Sequence, residues 1–314
     1  MRPITTLIAL LVGLLCLPAA AQAQQTFKAG AITYVLDENP VQAGFGYAFA
    51  RMCPDNLGIS AGGFAVSGPP GAGRFGGSHP VDFKTSDEIR FDGWRTMLFN
   101  PGPDERTMTS AMICLGPGFN GDELTYDTRT QSVSGGTSRY EQQCPAGRAV
   151  GGGIELFGVL TAQSIEASGP IAQGGSSQPP DDGWRARATS AASTNTVYVD
   201  CLPSKGLAFR YQRTRARIEG TQEKRLIARC PTEPKKPRKG KRAKKAKRAK
   251  KAPWRVVGGG IGGVDLSLRQ SLPWDGNDKD KAPDDDWIAR VSQLSPPGDP
   301  VIATVTAICV RKRK

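Results

Sequence analysis

Histidine is almost missing from this sequence: among 314 residues there is one, His79. It fills the middle of Ser78-His79-Pro80, a tripeptide that recurs as Ser168-Gly169-Pro170 and Ser271-Leu272-Pro273, so a Ser–His nucleophilic pair would exist in one copy alone. No such catalysis is expected, and His79 reads as a surface turn residue. Apolar runs are missing beyond the first turns of the chain. The longest, Leu7 to Leu17, is ended by Pro18 and falls short of the roughly 20 residues a membrane helix needs, which excludes a helical span. A full calcium-loop pattern is missing too. Asp275, Asn277, Asp278 and Asp280 offer hard oxygen donors, but a solvated turn is the simpler reading and no metal is expected. Gly258, Gly260 and Gly263 satisfy G-x-G-x-x-G, yet no helix-length segment follows to present its N-terminus to a phosphate. They read as structural glycines, and no cofactor is expected.

What is present begins with an export signal. Arg2 supplies the positive end, Leu7 to Leu17 the apolar core and Ala21-Gln22-Ala23 a small-x-small cleavage site before Gln24. Residues 1–23 are thus expected to be removed, leaving a secreted chain, free or held at the cell envelope. Removal takes Cys16 and leaves Cys53, Cys114, Cys144, Cys201, Cys230 and Cys309. An even number of cysteines in an oxidising compartment reads as a disulfide framework.

The chain repeats itself three times. Cys-Pro stands at Cys53-Pro54, Cys144-Pro145 and Cys230-Pro231, and each is followed by a glycine cluster at Gly62-Gly63, Gly151 to Gly153 or Gly258 to Gly260. Ser-x-Pro follows, and sixteen residues after each of its serines comes a tryptophan: Trp94, Trp184 and Trp287. Each copy closes on Cys114, Cys201 or Cys309 and opens on an extended stretch around Tyr34, Tyr126 or Phe209. The copies are drawn at 24–118, 119–204 and 205–314. Self-similarity of this kind marks a repeat architecture.

Within a copy the segments are short, rich in β-branched and aromatic residues and punctuated by Gly, Pro, Asn and Asp, which specifies strands and turns. Copy three reads as a meander of Arg225 to Cys230, Trp254 to Leu266, Ser267 to Leu272, Trp287 to Leu294 and Val301 to Cys309. With successive strands antiparallel, both cysteines of a copy end strands running the same way, at one end of one sheet. This favours Cys53–Cys114, Cys144–Cys201 and Cys230–Cys309 over a ring of bridges between neighbouring copies. The Asp-Gly or Asp-Asp before each repeated Trp is expected to start a strand, and those three Trp to pack in the core. Trp254 and Trp274 occur in one copy only and are candidates for sugar stacking.

Charge is concentrated. The formal net charge is +13, and most of it comes from the tract Lys235, Lys236, Arg238, Lys239, Lys241, Arg242, Lys244, Lys245, Lys247, Arg248, Lys250 and Lys251. A basic tail, Arg311, Lys312, Arg313 and Lys314, ends the chain, so the rest of the mature protein is slightly acidic. Cys-to-glycine spacing is 9 residues in copy one, 7 in copy two and 28 in copy three, so the tract is an insertion in one loop of a repeat. The meander places this loop, the tail and the acidic loop Asp275 to Asp286 at one end of the copy. A polybasic loop suits polyanions outside the cell: acidic wall or extracellular glycans, anionic lipid headgroups or DNA.

The order Cys144-Pro145-Ala146-Gly147, Gly151-Gly152-Gly153, Gly183-Trp184 and Cys201 resembles repeats of secreted actinobacterial proteins to which no activity is attached. That resemblance spans nearly the whole mature chain and implies export and architecture. A looser resemblance is to vitelline membrane outer layer protein, whose three Cys-Pro repeats form a β-prism with pseudo-threefold symmetry.

The expectation is therefore an all-β, disulfide-bonded protein of three homologous antiparallel repeats, arranged as one prism-like body or as three tandem sandwiches. Its expected role is non-enzymatic binding or surface structure. The alternative is a carbohydrate-active hydrolase using paired carboxylates such as Asp181 and Asp182, or Asp284 and Asp285.

Overall fold

A computed structural model describes residues 23–69, 71, 73–83, 91–158, 160–171, 182–232, 253–276, 282–294 and 299–313. Every long element is a strand. Copy one supplies β1 (Ala23–Ala29), β2 (Ile32–Val41), β3 (Gly46–Met52), β4 (Gly58–Val66), β5 (Arg74–Val81), β6 (Gly93–Phe99) and β7 (Arg106–Leu115). Copy two supplies β8 (Thr125–Val133), β9 (Gly136–Gln143), β10 (Arg148–Glu155), β11 (Ser164–Ile171), β12 (Gly183–Ser190) and β13 (Ser193–Leu202). Copy three supplies β14 (Leu207–Ile218), β15 (Lys224–Arg229), β16 (Arg255–Gly262), β17 (Leu266–Trp274), β18 (Asp286–Gln293) and β19 (Val301–Lys312). Residues 1–22, which are all of the expected signal but Ala23, and the whole tract from Lys235 to Lys251 lie outside the described residues.

These strands form three antiparallel sheets, ordered β1-β2-β7-β4-β17-β18-β15, β3-β6-β5-β10-β13-β8 and β14-β19-β16-β11-β12-β9. No sheet belongs to a single copy. Each copy splits into two halves that pack face to face, three strands in each except for the four of β1-β2-β7-β4 in copy one, and each half continues into a neighbour's sheet through a short junction. Ser78 pairs with Ile154 in one junction, Ser168 with Ile261 in the next, and Ser271 with Phe64 in the third. Copy one thus joins two, two joins three, and three returns to one. The ring is closed by backbone pairing, so separate beads are excluded and a three-fold β body results.

This corrects the single-sheet meander. The strands of copy three form close to the expected segments, but β15, β18 and β17 lie in one sheet while β14, β19 and β16 lie in another. The three disulfides Cys53–Cys114, Cys144–Cys201 and Cys230–Cys309 are those favoured from the sequence, for a different reason. In each, one cysteine follows a strand of one sheet and its partner lies on a strand of the next sheet. The bridges therefore clasp the two halves of a copy instead of closing one end of a sheet.

Between those halves lie Trp94, Trp184 and Trp287, at most 2% exposed. The glycine clusters are what admit them. A Cβ on Gly62 would lie 2.2 Å from the Trp94 ring, one on Gly152 2.6 Å from Trp184, and one on Gly259 2.4 Å from Trp287. Their neighbours make room for other copies: a Cβ on Gly151 would meet the Ser60 carbonyl at 1.8 Å, and one on Gly258 the Val150 carbonyl at 1.7 Å. The β4, β10 and β16 strands hence converge, and G-x-G-x-x-G here is a strand packed on strands, as read.

A second cyclic set locks the copies. The Tyr34 hydroxyl donates to the Val256 carbonyl at 2.7 Å, Tyr126 to Ile59 at 3.0 Å and Tyr211 to Ala149 at 3.1 Å. Each bond reaches from one copy into another. Tyr211, two residues beyond Phe209, is thus the counterpart of Tyr34 and Tyr126.

Candidate functional site

The basic insertion leaves the described body after Cys230 and returns at Trp254, and both ends are fixed to one corner. The Cys230 N–H donates to the Asp285 carbonyl at 2.9 Å, and the Val256 N–H donates to the Asp284 carbonyl at 2.7 Å. The Asp284 carboxylate, fully buried, pairs with the Arg255 guanidinium. Beside them Asp286 is buried, and burial together with Asp285 and Asp275 pushes its pKa up to about 6 against the pull of Arg229. Backbone carbonyls and carboxylates of the Asp284 to Asp286 stretch thus lie at both ends of the basic insertion. Asn277, Asp278 and Asp280 lie outside the described residues, and no cluster of three metal-ligating side chains occurs among the described ones.

Trp254 is 8% exposed, which removes it as an open sugar platform. Arg311 stands 4.5 Å from its ring centroid and Arg210 stands 5.4 Å from it, so two cations flank the ring at the insertion's return point. The basic tail is tied down as well. Arg311 and Lys312 belong to β19, paired with Ala208 and Leu207 of β14, because β19 runs past Cys309 for three more residues. The Arg313 N–H donates to the Gly206 carbonyl at 2.8 Å, and Lys312 lies 5.6 Å from the Phe119 ring. Lys314 lies outside the described residues. The tail is a strand end beside the insertion's root, not a free appendage.

His79 requires a correction. It is 1% exposed, in the middle of β5, because Ser-x-Pro is strand interior in every copy. Ser78 and His79 are adjacent on a strand, so their side chains point to opposite faces and cannot pair. Ser78 Oγ instead accepts from Trp94 Nε1–H, while the His79 ring stacks on Tyr198 with centroids 4.8 Å apart. Its Nδ1 lies 3.0 Å from the Pro80 carbonyl, which only accepts, so Nδ1 carries the proton and Nε2 faces Glu155 Oε1 at 3.7 Å. Burial, outweighing the pull of Glu155, lowers the His79 pKa to about 4. The Tyr198 hydroxyl donates to Glu155 at 3.0 Å and Arg95 stands 3.5 Å from the same carboxylate. This cluster sits at the junction of copies one and two; its sequence signal was a histidine where the other copies have Gly169 and Leu272.

Nearby, Asp200 is fully buried, with no hydrogen bond to either carboxylate oxygen among the described residues. Burial raises its pKa well above the carboxylate range, and Tyr126, packed beside it, is raised by burial and by Asp200 and Asp92. Of the paired carboxylates, Asp181 lies outside the described residues, and the Asp182 carbonyl accepts from the Cys144 N–H at 2.8 Å. Asp182 and Asp285 hold the strand that follows them against the cysteine of the Cys-Pro turn, and Asp284 holds it against β16. No protein-family model matches the chain, and no curated protein matches it. Among the described residues no helix is long and apolar enough to cross a membrane.

Proposed function

We propose that the protein is a secreted or envelope-associated, non-enzymatic binding or surface-structural module whose insertion Lys235 to Lys251 associates with polyanions. The observation that carries this reading is the anchoring of the insertion. Twelve cationic side chains are strung between two fixed points, the Cys230–Cys309 bridge and the Arg-flanked Trp254, on an otherwise slightly acidic body. Arg311, Lys312 and Arg313 add charge at the same corner. A disulfide framework and a signal-like N-terminus support export, where acidic glycans, anionic headgroups and DNA are the accessible polyanions.

Attraction of this kind rests on counterion release, so log affinity falls linearly with log salt. The test compares the mature protein with a variant lacking 235–251 against a sulfated glycan, phosphatidylglycerol vesicles and duplex DNA at increasing sodium chloride. Intact protein is expected to lose binding steeply, and the shortened variant to bind weakly with a flattened slope while its near-ultraviolet dichroism stays unchanged. Equal binding by both at about 50 mM salt, where screening is weak, would refute the reading.

A further inference from the structure

The three junctions between copies are built on one plan and filled differently. Where copies one and two meet, Glu155 and Tyr198 occupy the outer face of the junction and His79 lies on them. Where copies three and one meet, register puts Ala65 in the place of Glu155, Ala111 in the place of Tyr198 and Leu272 in the place of His79. Two small residues replace two large ones. A groove of about 380 Å³ opens there across β1, β2, β7, β4 and β17.

The residue after Ser-x-Pro differs in the same way. It is Val81 in copy one, Ile171 in copy two and Trp274 in copy three. Trp274 lines the groove, with the Arg225 guanidinium 5.0 Å from its ring centroid. The other four tryptophans are all 8% exposed or less, so this is the one indole within reach of solvent. Leu36, Leu272 and Pro273 continue its apolar floor, and Gln25, Glu38, Thr109 and Gln270 stand among them. Among the described residues no Lys, Arg or His lines the groove, Arg225 standing against the Trp274 ring, and Glu38 and Asp275 give the lining two carboxylates.

We infer that this groove is a binding site for a sugar residue of an uncharged glycan. A pyranose has an apolar C–H face and a hydroxyl-bearing edge. The first matches an indole with a leucine and proline floor, the second the Gln25 and Gln270 amides and the Thr109 hydroxyl, which donate and accept, and the Glu38 carboxylate, which accepts. The volume falls within the range of ligand pockets, and the Glu38 and Asp275 carboxylates in the lining disfavour an anionic ligand. The chemistry of the site is opposite to that of the basic insertion.

Cellotriose, N-acetylchitotriose and xylotriose serve as probes for the full mature protein, with saturation-transfer NMR and tryptophan emission as readouts. At least one is expected to bind saturably at millimolar concentration and to shift the emission. Trp274→Ala is expected to weaken it tenfold or more by NMR. Ala65→Leu, which fills the groove and keeps the indole, is expected to do the same. Binding should be unchanged in 0.5 M sodium chloride and in the variant lacking 235–251, which separates this site from polyanion association. Absence of saturable binding by every probe overturns the inference, as does binding that survives both substitutions.

Discussion

The Trp94 Nε1–H donates to Ser78 Oγ at 3.0 Å, sixteen residues back along the chain and one strand across. Trp184 does the same to Ser168 at 2.9 Å and Trp287 to Ser271 at 3.1 Å. In each copy the proline of Ser-x-Pro faces the tryptophan in register, which sets the serine on the diagonal where the indole reaches it. The constant spacing is the record of this bond. Replacing Ser168 with Ala leaves a buried indole N–H unpaired and should cost about 1–3 kcal/mol. Urea unfolding of the three Ser→Ala variants checks this, with similar losses expected in each copy.

The glycines facing those rings are a sharper test. Gly259→Ala places a methyl 2.4 Å from Trp287 Cδ2 and 2.5 Å from the Thr306 carbonyl, where neither ring nor backbone has room to yield. Overpacking of a filled core costs about 1–3 kcal/mol and often more. Gly262→Ala, three residues along the same strand, meets nothing closer than 3.9 Å and should be near neutral. Thermal unfolding of the two variants should separate them clearly; equal midpoints would mean that the cluster is not there to admit the ring.

The repeat and the strand segments were legible in the sequence because each rests on short-range chemistry that three copies restate, whereas the cysteine partners followed from a strand order that the structure replaces. Which sheet a strand joins was not legible. Ser78 and Ser168 pair across copy boundaries, and nothing local in Ser-x-Pro distinguishes a turn from a junction strand, which is why His79 read as exposed. The Trp274 groove was half-visible, as an unpaired tryptophan, but the small residues opposite it, Ala65 and Ala111, carry no signal until register aligns them with Glu155 and Tyr198.

The disulfides should each bridge two sheets of one copy. Proteolysis of unreduced protein and mass mapping should return Cys53 with Cys114, Cys144 with Cys201 and Cys230 with Cys309, at separations of 61, 57 and 79 residues. A Cys114–Cys144 peptide would contradict the fold. On the chain-entropy account, each closure of this length contributes about 4 kcal/mol, so Cys144→Ser with Cys201→Ser should lower stability by that order.

His79 should make stability pH-dependent in a defined direction. In the unfolded chain it takes up a proton near its ordinary 6.5, whereas in the fold burial holds it neutral down to about 4. Between those values the unfolded state binds more protons, so stability falls as pH drops through 6.5 and levels off below about 4. Glu155 from β10 and the Pro80 carbonyl oppose the shift, Arg95 from β6 adds to it, and Tyr198 from β13 stacks on the ring. A displacement of this size corresponds to about 3 kcal/mol. His79→Leu, which installs the side chain that copy three carries as Leu272, should match the parent near pH 7.5 and exceed it progressively to pH 4. Urea midpoints of the two proteins at pH 7.5, 5.5 and 4 give the comparison, in which other titrating groups largely cancel. Parallel profiles would mean that His79 titrates alike in the folded and unfolded chain, and a parent that gains on His79→Leu as pH falls would mean that His79 is protonated in the fold and paired with Glu155 at 3.7 Å.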